Sequence, residues 1–271
     1  MTLSQTRTME SRPFMLVIIA MVCAGQAQAQ EPASQDWALV EAPERSAVIA
    51  ITRFDNGITL AGRCVNGAFD VTVAGLPPAR GYSRIVRVSV GDEELRQETW
   101  TAGADPAVAF SRLPAPFARR LAVGGKLQIA IPGTDGQRGT RYVMDLPPSP
   151  TTLERTLTAC GRSLVDPRDT GLDRDAPDGL SGGLDWALRP RIELPDSVRG
   201  RYVTRATVTT SCLVAENGSL TDCVIESEHP GGFGHGREVV RSLRTARVRS
   251  LTPELALGGQ FVTFTVSFLD E

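Results

Sequence analysis

Few residues of this chain are able to do chemistry: five cysteines, two histidines and one serine in a G-x-S-x-G pattern. Cys212 and Cys223 lie symmetrically about Asn217-Gly218, a dipeptide that accepts the positive φ angles of a type I′ turn. Folded about that turn, the Val-, Thr-, Ile- and Leu-rich runs on either side make a hairpin. Position 212 then lies opposite position 223, within reach of a disulfide. A two-residue turn would make this a hydrogen-bonded pair, the less comfortable site for a bridge, and a bulge beside Gly218 would relieve it. Cys64 and Cys160 pair by elimination. In the loop-entropy picture the short bridge contributes ~3 kcal/mol and the long one nearer ~4.5 kcal/mol.

Other chemistries fit the residues less well. His229 and His235 nominally complete a zinc set with Cys212 and Cys223, but the cysteine spacing is wrong for a zinc knuckle. Gly179-Leu180-Ser181-Gly182-Gly183 has the letters of a nucleophile elbow without the strand and helix that must flank it. The glycine-rich run 231–236 precedes a helix, where free N–H groups hold phosphate, yet it lacks the Rossmann and P-loop spacings. Arg237, Arg241 and Arg244 form a basic stripe that reads as a solvated helix face. Asn217-Gly218-Ser219 spells a glycosylation sequon, set aside because the export signal looks bacterial. The expectation is no metal, no cofactor and no catalytic set.

Composition narrows the class further. Charged residues are 22% and the net charge is −2, so a nucleic-acid footprint is not expected. Aromatics are 6%, too few for an extended stacking platform. Lys126 is the sole lysine among many arginines, which reads as genome composition. Arg7 and Arg12 precede an apolar run ending near Ala24, and Ala27-Gln28-Ala29 fits a signal-peptidase site, so residues 1–29 read as a signal peptide. The run is about half of the ~20 residues needed to span a bilayer. Membrane association, as an inner-membrane anchor, is expected only if these residues are retained. Cleavage removes Cys23 and leaves an even cysteine set in an exported, periplasmic chain, the usual setting for disulfides.

The elements that position these residues fall into two expected domains, residues 37–165 and 184–271, joined by a linker at 166–183 rich in Asp, Arg, Gly and Pro. The first is an antiparallel β-rich domain with strands at 46–54, 58–65, 68–74, 82–90, 94–100, 126–131 and 140–146. Asp55-Asn56-Gly57 and Asn66-Gly67 make two of its turns. A short helix is expected at 116–123, and a terminal one runs from Ser149-Pro150 to Cys160, with Gly161 ending it. The second domain has the order β-β-α-β: the cysteine hairpin, a helix at 237–247 with Val239, Val240, Leu243 and Ala246 on one side, and a strand at 260–268. The fold class is α+β.

Residues 184–271 resemble the C-terminal domain of TonB-type energy transducers, in a cysteine-bearing variety found in exported bacterial proteins. The resemblance rests on Trp186-x-x-x-Pro190, Pro195-x-x-Val198-x-Gly200 and the strand with Val208, Cys212 and Val214. It continues through Glu216-Asn217-Gly218-Ser219-Leu220, Cys223-Val224 and Ser227-Glu228-His229-Pro230-Gly231 to the helix and final strand. It implies a helix packed on a small antiparallel sheet and the binding of an extended segment of an outer-membrane transporter, or other envelope protein, by strand addition. A link to energy-dependent transmembrane transport comes with it. The candidate peptide-binding edge is the last strand, with Gln260, Val262, Phe264 and Val266. The chain departs from the family in its extra first domain, in an apolar run with no ionisable residue to couple to a proton motor, and in a linker that reaches only ~60 Å when extended. Peptide binding is therefore the expected activity. The alternatives are a structural or stress protein of the envelope, or a hydrolase using His229 or His235.

Overall fold

Asn-Gly turns organise the first half of the chain. The computed structural model describes residues 37–133, 136, 138–172, 180, 183–198 and 205–269; the expected signal segment and most of the 179–183 glycine run lie outside these. Strand β1 (Ala38–Ala42) leads to β2 (Ala47–Arg53), β3 (Thr59–Val65) and β4 (Ala68–Ala74). Asn66 and Gly67, with φ of 51° and 78°, make the two-residue turn between β3 and β4. The turn before β3 is longer: the Gly57 N–H donates to Phe54 O and Gly57 takes φ 84°, a type I turn closed by a left-handed glycine.

The chain continues through β5 (Ser83–Val90), β6 (Arg96–Ala102), β7 (Ala109–Phe110), helix α1 (Pro114–Val123), β8 (Gly125–Ile131), β9 (Thr140–Leu146) and helix α2 (Pro150–Ala159). All nine strands join one antiparallel sheet in the order β1-β2-β3-β4-β7-β6-β5-β8-β9. It is not a simple meander, because the two-residue β7 inserts between β4 and β6. Alternate residues of the strands, among them Leu60, Val71, Val86, Val88, Trp100 and Leu127, bury against Phe117 and Leu121 of α1 and Leu153 and Leu157 of α2. Cys64 of β3 is bonded to Cys160 at the end of α2, so the helix is tied to the strand it covers.

The second half contains β10 (Leu184–Leu188), β11 (Arg205–Val214), β12 (Leu220–His229), helix α3 (His235–Leu243), β13 (Arg247–Ser250) and β14 (Phe261–Leu269). The expected β-β-α-β core is present as β11, β12, α3 and β14, and the chain adds β10 and β13, which pair as a separate two-stranded sheet. The three-stranded sheet has the order β12-β11-β14. Val208, Cys212 and Val214 of β11 and Val262 and Phe264 of β14 face Val239, Leu243 and Ala246, forming a second core. Trp186 of β10 closes it edge-on against Phe264, with ring centroids 5.8 Å apart.

The cysteine hairpin departs from the expected type I′ turn. Its loop is Glu216-Asn217-Gly218: Gly218 N–H donates to Ala215 O (2.8 Å), Ala215 N–H donates to Ser219 O (2.9 Å), and Gly218 takes φ 76°. Gly218 also bonds sideways, its carbonyl accepting from Val248 N–H at 2.8 Å. A second irregularity lets the cysteines meet. Ser211 pairs with Val224 and Leu213 with Thr221, so Cys212 opposes both Asp222 (φ 47°) and Cys223, a bulge that carries the Cys212–Cys223 bridge.

A Cβ on Gly218 would lie 2.1 Å from Val248 O, in a backbone region that L side chains avoid. Gly218→Ala is therefore expected to cost about 2 kcal/mol, seen as a melting temperature lowered by roughly 5 °C. An unchanged melting temperature would show that the turn does not hold the hairpin to β13.

The two cores meet through polar contacts, and Gln35–Glu271 form one compact unit. On the face of the three-stranded sheet away from α3, Thr209, Ser211 and Thr263 are buried. Ser211 Oγ donates to the buried Glu226 carboxylate, which pairs with Arg162 just beyond α2 at 3.7 Å. Ser227 Oγ donates to Arg112 O at 3.0 Å. Residues 166–172, expected in the linker, are docked: a short 3-10 helix, Pro167–Thr170, is held by Arg119 of α1. That guanidinium reaches Asp169 at 2.7 Å, Asp166 at 3.3 Å and Ser163 O at 2.8 Å. Burial raises the Asp169 carboxyl above its ordinary range, and Arg119 opposes the rise. Docking through charge explains why the segment shows no apolar periodicity.

Candidate functional site

Strand β14 lies at the edge of its sheet. The Gln260 carbonyl accepts from Val214 N–H at 2.8 Å, so 260 and 214 form a hydrogen-bonded pair. Antiparallel ladders alternate such pairs, so 262, 264, 266 and 268 direct their backbone groups at β11, and 263, 265 and 267 direct theirs outward. The side chains alternate as well. Val262 and Phe264 are in the second core and Val266 packs against it, so of the candidate edge residues these three serve the core side of the strand. Gln260 is half-buried, and its amide donates to Ala256 O. The backbone an incoming strand would meet belongs to Thr263, Thr265 and Ser267.

The edge is not uniform along its length. Arg168 lies over the Phe261 ring at 5.9 Å, a Cβ on Gly171 would come within 2.7 Å of that ring, and Thr263 is buried. Thr265 and Ser267 are exposed. The accessible part of β14 is its C-terminal half.

That half leads to a cleft of about 1190 Å³ between the two cores. One wall comes from the first sheet, with Arg63, Asp70, Tyr82 and Phe110; the other comes from the second half, with Arg205, Ser267, Phe268, Glu228, His229 and Phe233. Arg63 holds Asp70 bidentately at 2.7 and 2.8 Å, and Asp70 also accepts from Thr72 Oγ1 at 3.0 Å. His229 stacks on Phe110 with centroids 4.2 Å apart, and its Nε2 is buried without a hydrogen-bond partner. Burial, helped by Arg63 and opposed by Asp70, lowers the imidazole to about 4, so it is neutral at pH 7. Arg205 lies 4.1 Å from the ring centroid of Tyr82, a residue that is 52% exposed.

The remaining expected residues are placed as follows. Cys212 and Cys223 bond to each other, as do Cys64 and Cys160. His235 is 1% exposed, packed on Phe268 (4.8 Å) with Nδ1 3.6 Å from Glu228. The first N–H of α3, which follows the glycine-rich run, is engaged, because Glu228 accepts from His235 N (3.1 Å). Gly236 brings α3 onto β12, where a Cβ would lie 2.8 Å from Ile225. In the arginine stripe Arg241 pairs with Glu238 at 2.6 Å, which raises its guanidinium further, while Arg237 and Arg244 are exposed. Among the described residues no cluster suits a metal ion, and no helix is long and apolar enough to cross a membrane. Sequence reasoning missed Tyr82, Phe110, Arg63 and Arg205, which lie far from the histidines in the chain and carry no motif.

Compared with known proteins, the chain matches no family model and no curated protein.

Proposed function

We propose that this is an exported binding protein that recognises an extended segment of another envelope protein by adding it as a strand to β14. The single observation that carries the reading is the accessible C-terminal half of that edge, with outward backbone groups at 265 and 267 beside exposed Thr265 and Ser267. Strand addition draws its affinity from main-chain hydrogen bonds and its selectivity from neighbouring pockets. The resemblance of residues 184–271 to TonB-type C-terminal domains points the same way and suggests transporter segments as partners, with a periplasmic location. A helix on one face of the β12-β11-β14 sheet agrees with that resemblance.

The covered beginning of β14 limits the register. An added strand pairs with four or five residues at most, roughly 15 Å of ladder. The test is to titrate the protein with synthetic peptides from the N-terminal extensions of outer-membrane transporters while following backbone amide resonances. The expected result is shifts at 265 and 267, together with loss of binding when alternate peptide amides are N-methylated. Shifts confined to other surfaces, or affinity indifferent to N-methylation, would reject strand addition.

A further inference from the structure

The cleft at the end of β14 has a chemistry of its own. Its two carboxylates are already matched: Asp70 by Arg63 and Thr72, and Glu228 by the first N–H of α3. Arg63 is spent on Asp70 in a fork-to-fork pair. His229 is neutral. Arg205 remains; it is exposed and has no carboxylate partner among the described residues, and its guanidinium lies over the Tyr82 ring, 4.1 Å from the centroid. A guanidinium stacked on an aromatic face is held in orientation with its N–H fork free to bind a planar anion. Tyr82 is exposed, and Phe110 and Phe268 supply further ring surface along the cleft.

Resting on the strand-addition reading, we infer that this cleft selects the partner segment by a carboxylate next to an aromatic or large aliphatic side chain. The carboxylate meets Arg205, and the apolar side chain packs on Tyr82 and the rings beyond it. Arg205, Ala206 and Ser267 line the cleft where the sheet ends, so a segment lying along 265–268 delivers its terminal residues there. The volume, above the usual ~300–1000 Å³ of small-ligand pockets, suits several residues of chain. The carboxylate has two sources in a peptide, an Asp or Glu side chain or the C-terminus itself.

The test is to pan a library of random nine-residue peptides on the intact protein, then to measure affinities of the enriched peptides made with free and with amidated C-termini. Enriched sequences are expected to carry Asp or Glu within two positions of Phe, Tyr, Trp or Leu. Loss of affinity on amidation alone assigns the carboxylate to the C-terminus; indifference to amidation assigns it to the side chain. Arg205→Gln and Tyr82→Ala should each weaken binding about tenfold, the order of one charge-assisted hydrogen bond or one aromatic contact. Arg205→Glu should exchange the acidic preference for Lys or Arg. Both positions are exposed, and unchanged melting temperatures verify that the variants fold. Enriched peptides with no acidic preference, or affinities untouched by Arg205→Gln and Tyr82→Ala, overturn the cleft inference and leave strand addition standing. No enrichment at all overturns both.

Discussion

Replacing Cys64 and Cys160 together by alanine is expected to destabilise the protein by roughly 4.5 kcal/mol, against roughly 3 kcal/mol for the same change at Cys212 and Cys223. The difference follows from the sequence separations, 96 and 11 residues, because a longer closed loop removes more freedom from the unfolded chain. Against a typical total of 5–15 kcal/mol, the larger loss is roughly 30% or more. Its consequences should also spread further. Cys160 ends α2, and the residues after it make the junction: Arg162 reaches Glu226 and Ile225 O, Ser163 O accepts from Arg119, and Asp166 and Asp169 complete the Arg119 cluster. Freeing the end of α2 should loosen this junction, raising hydrogen exchange across 160–172 and at Ser211 and Glu226. The hairpin bridge lies within one sheet, so its removal should raise exchange only in β11 and β12. Urea denaturation of the two double variants, paired with exchange mass spectrometry, checks both parts. A smaller loss for the 64/160 pair than for the hairpin pair would falsify the chain-entropy account of the first bridge.

Both bridges were legible: one from a turn dipeptide between two cysteines, the other by elimination, because Cys64 and Cys160 were the two left over in an even set. The strands of the first half were legible for a similar reason. Val86, Val88 and Val90 alternate with exposed or polar neighbours, and Asn66-Gly67 has only one turn to make. What was not legible depends on partners distant in sequence. Ala109-Phe110 is too short to show any period, yet it fills the gap between β4 and β6. Ala38–Ala42 is an outer strand exposed on both sides, so no alternation marks it. The loop at Glu216-Asn217-Gly218 holds three residues where the dipeptide read as a two-residue turn, and the Gly218 carbonyl is tied to Val248, a partner that the local sequence does not announce. The docking of 166–172 is the clearest case. Its Asp-rich composition reads as solvated chain until Arg119 is placed beside it. The cleft was invisible for the same reason, since Tyr82 meets Arg205 and Phe110 meets His229 only after the two cores pack.

His229 gives that packing a dependence on pH. The imidazole is buried against Phe110 and holds its proton only below about 4 in the folded protein, whereas an unfolded histidine titrates near ~6.5. Above pH 6.5 both states are neutral and the group adds no pH dependence. As the pH falls from 6.5 towards 4 the unfolded chain takes up a proton that the folded chain refuses, so stability drops. The loss is about 2 kcal/mol by pH 5 and levels off at about 3 kcal/mol below the folded value. Carboxylates titrate in part of the same range, so the contribution is isolated by comparison with His229→Phe, which retains an aromatic partner for Phe110 and has no proton to bind. Urea midpoints measured from pH 7.5 to 4.5 should fall more steeply for the natural protein, the two curves separating below pH 6.5 and running parallel above it. Because His229 bridges the end of β12 and the β7 strand of the first sheet, the acid-sensitive step should be visible as exchange at Phe110 and Ser227 before the cores themselves open. Parallel curves throughout, with no divergence below pH 6.5, would mean that the imidazole accepts its proton in place and that the contact with Phe110 does not exclude charge.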